Sequence, residues 1–230
     1  MAETFHYIEQ VLRDHSKTFF PATRLGPTAV GHTLETSVFK KAEDNLKTAD
    51  IVDTELKGKT GKGSRRVRLG TSNCGLEQQL LESYGKLNSA QTKRQFYPLL
   101  TMGKPRTLAP ATVCDLVFDD ELLGLSVNGS VIGGWAMDAL SEMIHHKLRK
   151  IAIVEAEKKI VEGRPHFRYT AVDFYSGLCI PSIVGAIEQG LIKVEFRINE
   201  EHDHGTSFNT TTKAMRSFYR NHERIDFTPS

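Results

Sequence analysis

Cysteine is scarce in this chain, and the few cysteines are not arranged to form bridges or to bind a metal. Cys74, Cys114 and Cys179 are an odd number and show no C-x-x-C spacing. Disulfide frameworks and thiolate zinc sites need paired or closely spaced cysteines, so both are disfavoured. We therefore expect a reduced compartment.

Long apolar runs and an excess of one charge are missing as well. Apolar stretches such as Ile151 to Val154 are far shorter than the roughly 20 residues of a membrane-spanning helix. The opening segment MAETFHYIEQ contains acidic residues and lacks the apolar core of a secretory signal. Thirty Lys and Arg residues against 28 Asp and Glu residues leave a net charge of +2, which excludes a polybasic tail protein but permits a local basic face. These absences predict a soluble, cytoplasmic protein.

The length and composition of the chain are those of an ordinary folded domain. Its 230 residues are 39% hydrophobic and 25% charged, enough for one domain or two interlocked lobes with a buried core. Asn128-Gly129 between two short apolar segments predicts a β-hairpin. Apolar periodicity predicts helices over about 5–12, 32–43, 75–86, 135–150, 180–189 and 213–224, and strands over about 50–57, 111–133, 151–157, 166–172 and 191–198. The class is α/β or α+β, without the regular alternation of a doubly wound fold.

One segment carries a chemically suggestive pattern, Asp50-(x4)-Glu55-Leu56-Lys57. Two carboxylates can hold Mg²⁺ at a phosphodiester, and a lysine can position water or stabilise charge on the phosphate. The same pattern is also typical of a solvated strand face with a cross-strand ion pair. Glu35 on the preceding helix and a basic stretch just after the motif favour the nuclease interpretation. The cations of this stretch, with Lys57, are Lys59, Lys62, Arg65, Arg66 and Arg68.

The identity of the first carboxylate depends on the shape of the chain before Glu55. Strict strand alternation puts Asp53, rather than Asp50, on the same face as Glu55 and Lys57. Asp50 joins them only if the chain bends or bulges between residues 50 and 54, as chains do beside active sites.

Seven short blocks follow one another in a recognisable order. They are VGxxLE (30–35), AEDN (42–45), DxxxxELK (50–57), SYGK (83–86), IAIVxAE (151–157), IKVxxRI (192–198) and HDHGTxF (202–208). In this order they resemble the MvaI/BcnI family of type II restriction endonucleases, which is related to the MutH mismatch-repair nickase.

The resemblance implies a fold, a set of lobes and a catalytic site. It implies a restriction-endonuclease-like core with a central mixed β-sheet flanked by helices. A single nuclease domain over 1–230 would have a mainly catalytic lobe at about 1–110 and a mainly sheet and DNA-recognition lobe at about 111–230. Asp50 and Glu55 would bind Mg²⁺, Lys57 would contact the attacking water, and Glu35 would be an accessory carboxylate. The family spacing favours Asp50 as the metal ligand and makes Asp53 a neighbour of the ligands that does not itself bind the metal.

The same resemblance makes the segment from Arg197 to Asn209 the base-reading segment. Arg197 at a strand end can give two hydrogen bonds to a guanine. The family pattern has an arginine where this chain has Asn209, whose amide fits adenine, so the target sequence is expected to differ at one base pair. The predicted DNA-binding residues are Arg197, His202, Asp203, His204 and Asn209, with Lys59, Lys62, Arg65 and Arg66 in the basic stretch.

His202-Asp203-His204 could alternatively bind zinc. Histidines two residues apart are a poor zinc pair compared with the helical H-x-x-x-H spacing. We therefore expect a DNA-facing loop that is held by its own hydrogen bonds.

The leading functional hypothesis is a Mg²⁺-dependent, sequence-specific double-stranded DNA endonuclease of the type II restriction kind, leaving 5′-phosphate and 3′-hydroxyl ends. Two alternatives stay open: a MutH-like strand-nicking repair enzyme, and a catalytically silent DNA-binding module. The resemblance also implies a monomer and a cognate DNA methyltransferase in the host.

Overall fold

The structure, a computed structural model, describes residues 3–41, 49–61, 66–119, 121–201 and 203–227, with the side chains of 180–182 left out. Lys62, Arg65, His202 and the 42–45 block lie outside the described residues. Within the described ranges, no helix is long and apolar enough to cross a membrane.

Helices and strands are numbered in chain order. The helices are α1 (Glu3–His15), α2 (Ala29–Thr33), α3 (Glu77–Tyr84), α4 (Met137–Leu148), α5 (Ile180–Glu188) and α6 (Thr212–Met215), and a π-helical turn, Leu34–Val38, continues α2. The strands of the first half are β1 (Phe20–Pro21), β2 (Thr54–Thr60), β3 (Arg66–Thr71), β4 (Lys86–Leu87), β5 (Arg94–Phe96), β6 (Leu99–Leu100), β7 (Arg106–Ala109) and β8 (Thr112–Asp119). Those of the second half are β9 (Leu122–Val127), β10 (Ser130–Ala136), β11 (Lys150–Val161), β12 (Arg164–Leu178), β13 (Lys193–Glu195), β14 (Ile198–Asn199), β15 (Ser207–Thr211) and β16 (Tyr219–Asp226).

The chain forms two compact units, each built from separated segments. The first unit contains residues 1–65, 145–178 and 219–230, and the second contains 66–144 and 179–218. The predicted lobe boundary near residue 110 lies inside the second unit.

The first unit is organised around one mixed sheet. Its strand order is β1-β12-β11-β2, and β16 also pairs with β12. β2 runs parallel to β11, with Glu55 opposite Ile151 and Lys57 opposite Ile153, whereas the other pairs are antiparallel. The expected central mixed sheet flanked by helices is therefore confirmed, and the motif strand β2 lies at its edge.

One face of this sheet carries the core of the first unit. Phe5, Ile8 and Leu12 recur on one face of α1 and are buried, as their helical spacing predicts. The ring of Phe5 stacks on Phe174 with a centroid separation of 4.4 Å. On β2, Leu56 points into this core, so its neighbours Glu55 and Lys57 point to the opposite face.

Helix α2 approaches β2 closely because glycines face each other there. A Cβ added to Gly58 would lie 2.9 Å from both the Cα and the backbone nitrogen of Gly31. The Tyr169 hydroxyl donates to the Val30 carbonyl at 2.8 Å and ties the same helix to β12. This contact fixes the π-helical turn, and with it Glu35, beside the motif strand.

The second unit consists of smaller, antiparallel sheets. Their orders are β10-β9-β8-β7, β3-β15-β13-β6 and β14-β5-β4. Asn128 and Gly129 form the turn between β9 and β10 with φ values of 50° and 82°, so the hairpin prediction is confirmed.

Some element predictions were wrong. The helix expected over 213–224 is only the short α6, and Tyr219 to Asp226 instead form β16, because they complete the hydrogen bonding of β12. The helical segment expected over about 32–43 begins earlier, at Ala29, and ends at Val38. The helix expected to begin at Trp135 begins at Met137, since Trp135 still pairs in β10.

Candidate active site and nucleic-acid interface

A tight turn precedes β2 and settles where the two candidate aspartates point. Ile51 and Thr54 exchange backbone hydrogen bonds of 2.9 and 2.8 Å, and Val52 has a φ of 54°. The turn brings Asp50 back, so that its Oδ2 accepts the backbone N–H of Leu56 at 2.9 Å. The chain thus bends between residues 50 and 54, which is the condition under which Asp50 joins Glu55.

Asp53 leaves this turn in another direction. Its Oδ2 accepts a hydrogen bond from Lys150 at 2.5 Å, and its Oδ1 lies 3.3 Å from the Thr54 hydroxyl. Partial burial favours the neutral acid, but the hydrogen bond and charge of Lys150 outweigh it and lower the pKa of Asp53. Asp53 is therefore a stable carboxylate in an ion pair of its own.

Glu55 is a buried carboxylate with one unused oxygen. Only 2% of the residue is exposed. Its Oε1 accepts a hydrogen bond from Lys57, and the Lys147 ammonium lies 3.6 Å from the same oxygen. Its Oε2 has no hydrogen-bond partner among the described residues. A buried acceptor without a partner costs about 1–3 kcal/mol, so this atom is a natural position for a cation.

Burial is the main reason that the pKa of Glu55 is raised. The charge of Asp50 raises it further, while Lys57 and Lys147 act in the opposite direction. The pKa of Glu35 is also raised, first by burial and then by Asp50. Perturbed carboxylates that share one charged cluster are characteristic of functional sites.

Glu35 comes from the π-helical turn. The Phe39 N–H donates to the Leu34 carbonyl at 3.1 Å, the i to i−5 bond that widens the helix. Such turns occur often at functional sites. The charges that act on Glu35 are those of Asp50, Lys57, Lys41 and Glu55, so the structure brings the four predicted catalytic side chains together.

The donor set fits a hard divalent cation that keeps part of its water shell. Asp50 and Glu55 supply carboxylate oxygens, and Mg²⁺ is commonly held by one or two carboxylates together with water and phosphate. In the described part of the chain, no group of three His, Cys, Asp or Glu side chains could hold a metal by itself.

Two lysines of this cluster did not emerge from the sequence. Lys41 lies 3.1 Å from Asp50 Oδ1, and Lys147 is brought to Glu55 by the last turn of α4. Lys147 is distant from the motif in sequence, and only the parallel pairing of β2 with β11 brings its neighbourhood to Glu55. The basic last turn of α4 was visible as a pattern, but nothing linked it to a carboxylate.

Lys59 belongs to a different cluster on the same sheet face. Its ammonium lies 3.4 Å from Glu155 Oε2 and 4.0 Å from Asp173 Oδ2, and little of its side chain is exposed. Arg224 and His222 complete this cluster at 3.1 and 2.9 Å from Asp173. The expected phosphate contact of Lys59 does not agree with this position, because internal carboxylates already balance its charge.

In the second unit, the predicted recognition loop is held by hydrogen bonds of its own. Asp203 accepts from the Gly205 N–H at 2.8 Å and from Asn73 Nδ2 at 2.9 Å. The His204 N–H donates to the Arg197 carbonyl at 3.1 Å. The two carboxylate oxygens of Asp203 thus organise the loop rather than face outward.

Arginines gather on strand β3 and just after β13. Arg66 forms an ion pair with Glu195, and half of its side chain is exposed. Burial, and then the nearby charge of Arg197, lower the pKa of Arg68. Among the described residues, the charges that act on Arg68 are those of Arg197, Glu195 and Arg66, two cations and one carboxylate. This excess of positive charge suits a polyanion, and it adds Arg68, one of the cations of the basic stretch, to the candidate DNA contacts.

The amide nitrogen of Asn209 is engaged inside the protein. Its side chain is buried, and its Nδ2 donates to the Ser207 carbonyl at 3.0 Å and the Ser207 hydroxyl at 2.8 Å. The expectation that Asn209 reads adenine disagrees with this geometry, because both amide hydrogens are used inside β15.

The fold is similar to that of two solved structures. One is a restriction endonuclease MvaI–cognate DNA substrate complex, at 22% sequence identity over 99% of this chain and 100% of that chain, with a TM-score of 0.84. The other is MvaI in the absence of DNA, at 19% identity over 98% of both chains, with a TM-score of 0.56. These likenesses assign a restriction-endonuclease fold.

None of the curated proteins that were compared matches the chain. The model of the MvaI/BcnI restriction endonuclease family, however, matches residues 8–219. The chain therefore belongs to the MvaI/BcnI restriction endonuclease family, and the resemblance carried by the seven sequence blocks is confirmed.

Proposed function

We propose that the protein is a Mg²⁺-dependent, site-specific endonuclease that hydrolyses phosphodiester bonds of double-stranded DNA. The observation that carries this proposal is the buried Glu55 carboxylate, with one bare oxygen, next to Asp50 and Lys57. A purely structural ion pair would not leave an acceptor unsatisfied.

The chemistry follows from the positions of the side chains. Asp50 and Glu55 are the residues that would hold Mg²⁺, which when bound polarises the phosphate and lowers the pKa of a water molecule. Lys57 orients the attacking water, and its charge stabilises negative charge on the phosphate oxygens. Glu35, with its raised pKa, is suited to accept a proton from that water. The water oxygen bonds to phosphorus as the bond to O3′ breaks, and O3′ takes up a proton from solvent, which leaves 5′-phosphate and 3′-hydroxyl ends.

Recognition is assigned to the second unit. We propose that Arg197 reads a guanine and that Arg66 and Arg68 contact phosphates, since one carboxylate balances only part of their charge. Arg68→Ala should reduce the slope of log affinity against log salt by about 0.9, as expected for one lost phosphate contact. An unchanged slope would show that Arg68 does not contact a DNA phosphate. Asp203 and His204 shape the loop, and Asn209 supports β15.

We also propose that one chain acts alone, in the cytoplasm, beside a methyltransferase that protects the same target. All four side chains of the catalytic cluster come from the first unit of a single chain, so no residue of a second copy is needed to complete it. Sedimentation of the protein on a single-site duplex should give one protein per duplex. Two proteins per duplex, with both active sites needed for cleavage, would contradict this.

The function is tested by incubating unmethylated phage DNA with the purified protein in Mg²⁺ and in EDTA, and sequencing the ends. We expect discrete fragments with 5′-phosphates in Mg²⁺ only, all cut at one short sequence. Nicks in one strand that need partner proteins would indicate a repair nickase. Specific binding that never leads to cleavage would indicate a silent DNA-binding module.

A further inference from the structure

Lys147 is a second lysine on the catalytic carboxylate. It lies in the last turn of α4, and its ammonium is 3.6 Å from Glu55 Oε1, the same oxygen that accepts the hydrogen bond from Lys57. Its side chain is 31% exposed, whereas that of Glu55 is 3% exposed. The ammonium therefore reaches both the buried carboxylate and the solvent from which a substrate arrives.

A counter-ion role alone does not account for this arrangement. Lys57 already neutralises Glu55, and a second ammonium on the same oxygen is repelled by the first. Meanwhile Oε2 of the same carboxylate has no partner among the described residues. A lysine kept only to satisfy Glu55 would gain more by bonding to that bare oxygen.

Charge balance indicates what the Lys147 ammonium binds once DNA is present. The carboxylates of the cluster are Glu35, Asp50 and Glu55, and its lysines are Lys41, Lys57 and Lys147. Among the described residues, these formal charges cancel in the free protein. A divalent cation on Glu55 would displace an ammonium, and the phosphate gains negative charge as water attacks it. A flexible lysine beside that carboxylate can move to the phosphate and bind its negatively charged oxygens.

We propose that Lys147 is a second phosphate-binding lysine of the active site. In the free protein its ammonium lies on Glu55, and in the DNA complex it turns to a non-bridging oxygen of the scissile phosphate. This inference rests on the proposed endonuclease function and adds a substrate-contacting residue to it.

The test compares Lys147→Met with Lys158→Met, a matched control on the same unit. Lys158 is an exposed residue of β11, seven residues along that strand from the partner of Glu55, or about 23 Å. Three quantities are measured: the single-turnover cleavage rate at saturating Mg²⁺, the salt dependence of DNA binding in Ca²⁺, a divalent cation that carboxylates also bind, and Mn²⁺ binding to the protein alone.

We expect Lys147→Met to cut at least tenfold more slowly than wild type and to lose about 0.9 from the salt slope. Mn²⁺ should bind the free variant at least as tightly, because a competing cation has left Glu55. Lys158→Met should cleave at the wild-type rate. Lys147→Arg, which keeps the charge, should retain the salt slope.

Other results would overturn the proposal. A Lys147→Met protein that binds Mn²⁺ more tightly but cleaves at the wild-type rate would make Lys147 a counter-ion only. If Lys147→Met does not fold, Lys147→Gln takes its place, and equal losses in the Arg and Gln variants would indicate a packing role. If the wild type binds DNA without cutting it, the proposed function fails, and the salt slopes still decide whether Lys147 contacts phosphate.

Discussion

Gly58→Ala should push α2 away from β2 and move Glu35 out of the catalytic cluster. The new methyl group would lie 2.9 Å from the Gly31 Cα and nitrogen, and 3.1 Å from the Val30 carbonyl carbon. All three are backbone atoms, so no side-chain rotation can relieve the contact. Helix α2 must shift, and the π-helical turn that carries Glu35 continues directly from it.

The loss of stability can be estimated from this geometry. Overpacking a well-packed contact lowers the free energy of unfolding by about 1–3 kcal/mol. At about 2–4 °C per kcal/mol for a chain of this size, the melting temperature should fall by roughly 2–12 °C. Circular dichroism measures the melting temperature, and single-turnover cleavage well below it should show a slower reaction for the folded variant.

Gly31→Ala is the matched control, because it adds a methyl group to the other side of the same contact. Its nearest neighbours would be Glu35 Oε1 and the Gly58 nitrogen at 3.9 Å, which is ordinary van der Waals distance. Its stability should equal or slightly exceed that of wild type, since alanine is the better helix former. The reasoning is refuted if Gly58→Ala melts with wild type, or if both variants lose equal stability.

Three further outcomes follow from the site. Asp50→Ala should abolish cleavage whereas Asp53→Ala should only reduce it, and the reverse order in a cleavage assay would show that strand alternation chose the right aspartate. The pKa of Glu55 is raised in the folded protein, so ionisation of this carboxyl lowers stability as pH rises above 4.5. The melting temperature of Glu55→Gln minus that of metal-free wild type should therefore increase between pH 4 and pH 7, and a difference that stays constant with pH would contradict this. Asn209→Ala should lose about 1–3 kcal/mol of stability in thermal unfolding, through the lost bonds to Ser207, and keep the target sequence; a changed target would restore Asn209 as a base reader.

Local patterns predicted the parts of this protein that depend on nearby residues. The buried face of α1 follows from the spacing of Phe5, Ile8 and Leu12, and the hairpin at Asn128-Gly129 follows from turn chemistry. The spacing from Asp50 to Lys57 identified the cluster. The bend that makes Asp50 usable was not predictable from propensity, because a β-branched residue such as Val52 rarely adopts a positive φ.

Contacts between distant segments decided the rest. Lys59 looked like one of several exposed cations until β11 and β12 brought Glu155 and Asp173 beside it. β16 is a strand because β12 offers it an edge, although its own residues suggested a helix. Arg68 was one cation of the basic stretch, and only the sheet that contains β3 and β13 brought the charges of Glu195 and Arg197 to act on it. Sequence periodicity does not predict which of these distant strands pair.

The central claim is that Asp50, Glu55 and Lys57 act on the scissile phosphate and not on the bases. It is tested most directly by measuring specific DNA affinity and single-turnover cleavage in parallel for wild type, Glu55→Ala and Lys57→Ala. The account predicts that both variants bind the target with near wild-type affinity and produce no cleavage in Mg²⁺. Cleavage by either variant at a rate near that of wild type would contradict it.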